Sequence, residues 1–405
     1  MSKIKQFIKV FVRFIIIFFY KVLFNILSTK NIIMFESGNG RNYTGNPKYI
    51  YEYLINNSNY EYNDKFKYVW SVKDTKIKIP GNPIKVKKNR LKYLYYTIIS
   101  AYWIFDARHP EYLLKKSKCK YIQTWHGTPL KKLGLDIENL NMGGKTNIDI
   151  YKSEIKNNAK IWDYLIAQND FSIDAFKTAF NFKGEFLKVG YPRNDILINK
   201  KEDKDFILKI KDDLGILNPE TKNKKIILYA PPTWRDNEFY NNEIYKFASQ
   251  MDFDLLKKEL SDEYIMIIKY HYLVQEKIDW NKYSDFIKVA DEKWDIQELY
   301  LISDMLITDY SSVMFDYALL QRPIIFYTYD LEFYKESLRG FYFDIIEEVP
   351  GPIIKNNQEL SKYLKNFNLN EYFLDYRNKY SKFTRKYNQY DDGNASKKVS
   401  DIIKS

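Results

Sequence analysis

Cysteine is almost missing from this chain of 405 residues, where Cys119 stands alone. A single thiol excludes an intrachain disulfide framework and a cysteine-based zinc site, and it fits a reducing compartment. Lys115, Lys116, Lys118 and Lys120 surround it, and cations lower a thiol pKa, but a structural role is expected. Histidine is nearly as scarce, with only His109, His126 and His271. No Gly-x-x-x-x-Gly-Lys-Ser/Thr loop occurs, which argues against a P-loop NTPase, and Gly38, Gly40 and Gly45 miss the dinucleotide-binding spacing. There is no Gly-x-Ser-x-Gly elbow and no His-x-x-x-His pair. Asp252-Phe253-Asp254 looks like a metal-binding Asp-x-Asp but reads as the opening of a helix over 255–260. Long apolar runs are missing as well. The longest near the N-terminus, 14–20, is too short to span a bilayer unaided, and no small-residue cleavage site marks a removable signal peptide.

What is present describes a folded chain. Apolar residues make up 45% and charged residues 29%, which excludes wholesale disorder, and the length favours two domains. Lys and Arg outnumber Asp and Glu by 64 to 52, a net +12. That balance suits an anionic partner, whether nucleic acid, membrane surface or phosphorylated substrate; a compositional bias towards Asn, Lys, Ile and Tyr would raise it equally. At 4–27 the chain is apolar yet carries Lys5, Lys9 and Arg13 on one helical face, with Phe7, Ile8, Phe11 and Phe14 covering much of the rest. This predicts an amphipathic helix lying on an anionic membrane surface. The competing reading is a core-packed helix with a solvated charged stripe.

Apolar runs at 32–35, 68–72, 103–105, 121–124, 164–167 and 186–189 predict strands, with helical stretches between several of them. A lysine-rich segment, 200–225, separates these from a second series at 226–230, 265–269, 286–289, 305–308 and 323–327. Residues 357–384 and the tail beyond read as helical. The expected fold class is α/β, with two Rossmann-like halves facing a cleft.

His126 follows the strand at 121–124 in Trp125-His126-Gly127-Thr128-Pro129, where Gly and Pro force a turn. Strand ends are where open α/β sheets place their crevices. His271 stands in a matching position, after the run 265–269. A lone histidine is usually structural; two in corresponding places point to one site built from both halves. His109, in Arg108-His109-Pro110, has no such setting and reads as structural. Ser311 and Ser312 begin a helix, with Asp316 one turn on. Serines there cap the helix or bind an anion, and the local pattern leaves both open. Arg193, in Gly190-Tyr191-Pro192-Arg193-Asn194-Asp195, suits phosphate, as do Thr233 and the turn at Pro231 and Pro232.

Taken in order, Gln123-Thr124-Trp125-His126-Gly127-Thr128-Pro129-Leu130-Lys131-Lys132-Leu133-Gly134, Thr308-Asp309-Tyr310-Ser311-Ser312, Asn46-Pro47-Lys48-Tyr49, the Arg193 loop and Pro232-Thr233-Trp234-Arg235 resemble the CDP-glycerol glycerophosphotransferase family of Gram-positive teichoic acid synthesis. The match covers roughly 32–385. The resemblance implies a GT-B-like fold: a membrane-associating helix at 1–30, an acceptor-side domain at 31–210, a CDP-polyol donor domain at 220–385 and a helical tail at 386–405. It implies His126 and His271 as catalytic residues. Trp125, Gly127, Thr128, Pro129, Arg193, Pro232, Thr233, Lys269, Tyr270, Ser311, Ser312 and Asp316 would bind substrate.

The expected reaction joins glycerol phosphate from CDP-glycerol to a hydroxyl of a lipid-linked saccharide or growing polymer, with release of CMP. CDP-ribitol is the alternative donor, and a GT-B nucleotide-sugar glycosyltransferase a more remote reading. His126 is taken as the base, with the roles of the two histidines exchangeable. No bound metal or other cofactor is expected, although loosely associated Mg²⁺ stays compatible. Partners would be the CDP-polyol, the lipid-linked acceptor and the anionic inner face of the cell membrane, with peripheral attachment and no nucleic acid. The shortness of the chain, compared with family polymerases that carry an extra N-terminal region, favours addition of one or a few units, as by a primase.

Overall fold

The apolar runs form two parallel sheets, and the computed structural model describes residues 3–57, 65–138, 147–231, 239–240, 244–246, 250–270, 274–275, 278–331 and 340–404. In the first half the strands are β1 (Lys30–Glu36), β2 (Lys67–Val72), β3 (Ile84–Lys87), β4 (Ser100–Phe105), β5 (Lys120–Gln123), β6 (Tyr164–Ala167) and β7 (Glu185–Lys188). They lie in the order β3-β2-β1-β4-β5-β6-β7, parallel throughout. The second half contains β8 (Lys225–Tyr229), β9 (Phe239–Tyr240), β10 (Ile244–Lys246), β11 (Tyr264–Ile268), β12 (Val274–Gln275), β13 (Ile287–Val289), β14 (Met305–Thr308), β15 (Ile324–Tyr327) and β16 (Ile353–Ile354). Its main sheet runs β13-β11-β8-β14-β15-β16, again all parallel. The short β9, β10 and β12 make a separate three-stranded sheet.

Parallel strands are covered by helices on both faces, so they read as continuous apolar runs. In β1, Ile33 and Phe35 point to one core layer, while Ile32 and Met34 point to the other. In β8, Ile226 and Leu228 serve one layer, Ile227 and Tyr229 the opposite one. Asp252 caps the helix Phe253–Leu260 by accepting from the Leu255 N–H at 2.9 Å, so the Asp-x-Asp stretch is a helix start.

Two connections depart from a simple two-domain layout. The lysine-rich segment is no bare linker. Its helix Lys204–Asp213 docks on the second-half core through Ile210, with Leu214 and Ile216 following. After the long helix Leu369–Tyr387 the chain crosses back, and the helix Ala395–Lys404 packs Val399 and Ile403 among first-half residues. Asp195 caps that helix from a distance, its carboxylate accepting from the Ala395 N–H (2.9 Å) and the Ser396 N–H (2.8 Å).

The N-terminal helix spans Lys3–Ile26, and its side chains are described from Ile15 onward, so Lys5, Phe7, Ile8, Lys9, Phe11, Arg13 and Phe14 lie outside the described side chains. Tyr20 is buried, with Ile16, Phe24 and Leu27 packed beside it on the first-half core. Its hydroxyl donates to the Leu114 carbonyl and accepts from the Leu114 N–H. The opposite face exposes Ile15, Phe18, Phe19, Val22, Leu23 and Ile26. Among the described residues no helix is long and apolar enough to cross a membrane.

Candidate active site

Each sheet reverses its strand order once, between β1 and β4 in the first half and between β8 and β14 in the second. Open parallel sheets bind ligands at the carboxyl ends of such neighbouring strands. Here the two reversal points line one cavity of about 510 Å³. Ser37 and Asp106, following β1 and β4, lie on one side; Ala230 and Pro231, following β8, and Tyr310, Ser311 and Ser312, following β14, lie on the other. Trp125, His126, Gly127, Thr128 and Pro129 reach the cavity from the loop after β5, Arg193 from the loop after β7, and Lys269 and Tyr270 from the end of β11. Pro232, Thr233 and His271 lie outside the described residues.

The His126 loop is held in a strained shape. Trp125 adopts a left-handed φ of 52°, costly for a bulky side chain. Its N–H donates to the Gln123 side-chain oxygen (3.0 Å), and its carbonyl accepts from the Asn46 amide (3.0 Å). The indole stacks on the imidazole with centroids 4.5 Å apart, so Trp125 positions the histidine ring. The His126 Nδ1 lies 2.9 Å from the Asp106 carbonyl oxygen. A carbonyl only accepts, so Nδ1 carries the proton and Nε2 keeps its lone pair. The ring is exposed, yet the walls crowd it. That desolvation lowers its pKa, the Asp106 carbonyl opposes the shift, and Arg193 and Arg108 add to it. Water in the open cleft moderates all of these effects.

Arg193 lies across the two halves. Its guanidinium meets the Asp316 carboxylate at 2.5 Å, with side chains 12% and 1% exposed. Burial, the largest single effect, would lower the Arg193 pKa, but Asp316, Tyr300, Tyr191 and Asp295 together raise it and the shift is upward. With the Gln297 amide turned to satisfy its neighbours, its oxygen accepts from Arg193 Nε (3.2 Å) and its nitrogen donates to Asp295 (2.7 Å). Asp316 is thus a support rather than a wall. It is absent from the cavity lining, and it also accepts from Asn194 at 2.9 Å. The one-turn spacing from Ser312 suggested a ligand contact, but the carboxylate turns inward to neutralise a buried cation.

The serines resolve differently from simple capping. The helix that follows is Val313–Tyr317, and the side chain of Ser312 makes no capping bond. Ser311 Oγ accepts weakly from the Val313 N–H at 3.3 Å. The Thr128 hydroxyl is committed internally, donating to Gln168 (2.6 Å) and accepting from Asn169 (3.0 Å). Lys269 donates to the Asp291 carbonyl; burial lowers its pKa, with Asp291, Asp295 and Glu292 opposing.

Gly127 is where the first-half loop touches the second half. A Cβ there would lie 3.1 Å from Ser312 Oγ and 3.5 Å from Arg193, at φ +150°. Gly127→Ala is expected to cost about 1–3 kcal/mol of stability through the backbone alone, and to push Ser312 out of place; thermal melts measure the cost.

Sequence reasoning quoted Asn46 and Lys48 in a motif without giving them a place in the site, and it missed Asp106. Asn46 sews together the loops after β5 and β7, since its oxygen also accepts from the Arg193 N–H at 3.1 Å. Lys48 pairs across the halves with Asp295 (3.2 Å) and Glu298 (3.3 Å). Burial would lower its pKa, but these carboxylates and Glu52 raise it. The buried Asn-Pro pair opening a helix was the signal available for Asn46. Asp106 carried none beyond following a strand. His109 is buried against Trp103 and Tyr121, where desolvation takes its pKa down to about 3. Buried Cys119 has its pKa pushed up to about 12 by desolvation, which keeps the thiol inert.

Comparison with known proteins places this geometry. The model of the CDP-glycerol:poly(glycerophosphate) glycerophosphotransferase family matches residues 18–405. A teichoic acid poly(glycerol phosphate) polymerase of Bacillus spizizenii is 42% identical over 96% of this chain and 96% of its own length. A teichoic acid glycerol-phosphate transferase of Staphylococcus aureus is 41% identical over 93% and 94%. The polymerase of Staphylococcus epidermidis is 42% identical, but this chain spans only 50% of its length. A Bacillus spizizenii poly(ribitol-phosphate) polymerase is more distant, at 31% identity. The solved structure of the wall teichoic acid polymerase TagF superposes with a TM-score of 0.86 at 38% identity, covering 100% of this chain and 98% of that one. A variant of the same polymerase was solved after soaking with CDPG. Because a polymerase of matching length exists, shortness does not mark this chain as a primase.

Proposed function

The chain belongs to the CDP-glycerol:poly(glycerophosphate) glycerophosphotransferase family, and from that premise we propose that it transfers glycerol phosphate from CDP-glycerol to a hydroxyl of a growing teichoic acid. The attacking hydroxyl gives its proton to Nε2 of His126 as its oxygen bonds to the phosphorus next to glycerol. The bond from that phosphorus to the CMP oxygen breaks, a phosphodiester forms, and CMP leaves with the electron pair. The observation that carries this reading is the fixed tautomer of His126, whose Nδ1 is committed to the Asp106 carbonyl on a ring exposed in a cavity that Arg193, Ser311 and Ser312 also line.

Arg193, Ser311 and Ser312 hold the pyrophosphate and offset charge on the leaving group, the usual source of most catalysis in phosphoryl transfer. The part given to His271, Pro232 and Thr233 rests on the sequence resemblance. This scheme requires no protein-bound metal, and chelation with EDTA should leave turnover unchanged. Glycerol is preferred to ribitol as the polyol because the ribitol-specific relatives are the more distant. Incubation with CDP-glycerol and with CDP-ribitol, each with a lipid-linked acceptor analogue, tests the reading by mass spectrometry. CMP and a product heavier by one glycerol phosphate are expected, and inactivity with CDP-glycerol would overturn it.

The N-terminal helix offers the membrane attachment. Exposed Phe18 and Phe19 lie on the face turned away from the core, and an exposed apolar helix face on a chain of net charge +12 suits an anionic lipid surface. The protein should float with vesicles containing phosphatidylglycerol more than with phosphatidylcholine alone, and less at high salt. Phe18→Glu with Phe19→Glu should abolish flotation; undiminished flotation would dismiss the helix as anchor.

A further inference from the structure

We propose that Asp106 and Asn42, backed by Ser37, form the subsite that holds the attacking hydroxyl of the acceptor. This deepens the glycerophosphotransfer reading above and rests on it.

The lining of the cavity is divided by chemistry. Arg193, Lys269, Ser311 and Ser312 bring cationic and hydroxyl donors suited to phosphate oxygens. The reversal point of the first sheet brings a carboxyl and an amide oxygen instead. Asp106 is 7% exposed, and its carboxyl accepts from the Gly38 N–H at 2.9 Å. The Asn42 Oδ1 is buried with no hydrogen-bond partner. Buried acceptors are rarely left unpaired, so this oxygen calls for a donor. Both residues line the cavity, with Asn42 Oδ1 just beneath its wall, and they are neighbours across Gly38, where a Cβ would come within 2.6 Å of Asn42 Oδ1. A phosphate anion finds no welcome from a carboxylate and a carbonyl oxygen. An alcohol, which donates its proton and still accepts, fits both.

Ser37 extends the argument. Its Oγ lies 2.6 Å from the Thr44 carbonyl and 3.1 Å from Asp106 Oδ2. A hydroxyl has one hydrogen, and the shorter contact claims it. The second contact is satisfied when Asp106 carries a proton and donates to Ser37 Oγ. Burial does raise the Asp106 pKa to about 7, helped by Glu36 and opposed by Gly38, Ser37 and Arg193. A carboxyl held this way, its proton on Ser37, accepts from an incoming hydroxyl. Its own backbone carbonyl holds His126 Nδ1, so the subsite and the base share one residue, and both line the same cavity.

The test uses the full chain, CDP-glycerol and an alkyl-tailed glycerol phosphate oligomer as acceptor probe. In Asn42→Ala and in Asp106→Asn, the KM for the oligomer should rise about tenfold or more, while the Kd for CDP-glycerol by calorimetry stays within about twofold. An unchanged oligomer KM, or a donor Kd that rises in step with it, overturns the subsite. Should Asp106→Asn melt early because its amide faces the Gly38 N–H, Asn42→Ala decides, since the oxygen it removes has no internal partner. Failure of the wild type to release CMP from CDP-glycerol would instead bring down the underlying reading, and this subsite with it.

Discussion

His126→Ala should lower turnover by about 10²–10⁴-fold, the usual contribution of a positioned general base, while leaving the melting temperature nearly unchanged. His126 is an exposed residue, so its removal vacates little core and gives up the contact to the Asp106 carbonyl and the stack on Trp125. The pH profile gives a second reading. The base works unprotonated, and its pKa lies below the ordinary 6.5, chiefly through desolvation. The wild-type kcat/KM should therefore stay level from neutral pH down to below that value, and fall only in more acid solution as Nε2 takes a proton. Retention of near-normal transfer by purified His126→Ala would remove the residue from the chemistry.

The largest effect on stability is expected from Asp316→Ala. Arg193 is 12% exposed and Asp316 1%, so deleting the carboxylate leaves a guanidinium buried without its contacting counter-charge, only the more distant Asp295 remaining. Breaking such a pair costs about 3–5 kcal/mol, more than the pair itself contributes, because the surviving charge is left desolvated. Asp316→Asn keeps the shape and some hydrogen bonds and should fall between the two. Urea melts measure the cost directly. Because Arg193 is also meant to hold pyrophosphate, the folded fraction of Asp316→Ala should bind CDP-glycerol more weakly than wild type. A urea midpoint within error of wild type would show that Arg193 finds another partner and that the pair does not join the halves.

Much of the fold was legible in the sequence for a simple reason. Strands covered on both faces need unbroken apolar runs, and 32–35 or 305–308 show them plainly. β3 escaped notice because it is an edge strand with only Val86 buried, so half of it looks like a lysine-rich loop. β16 has two residues, too few for any periodicity. In the site, scarcity marked His126, and the Gly-Thr-Pro turn marked its loop. Asp106 was illegible because its role comes from what the sheet order sets beside it; the motif at 46–49 marked Asn46 but not the two loops it joins. Asp316 was visible but misdirected: local spacing joined it to Ser312, whereas its partner Arg193 is 123 residues away.

The return of the chain at Ala395–Lys404 to cover the first half has a consequence for biosynthesis. A protein emerging from the ribosome in order would present β1 to β7 long before residues 395–404 exist. Until they arrive, Asp195 has no helix to cap and the surface that receives Val399 and Ile403 stays wet. The N-terminal lobe is therefore expected to reach protease resistance only after the whole polypeptide has left the exit tunnel, so nascent chains stalled near residue 220 should be digested where the full-length product is not.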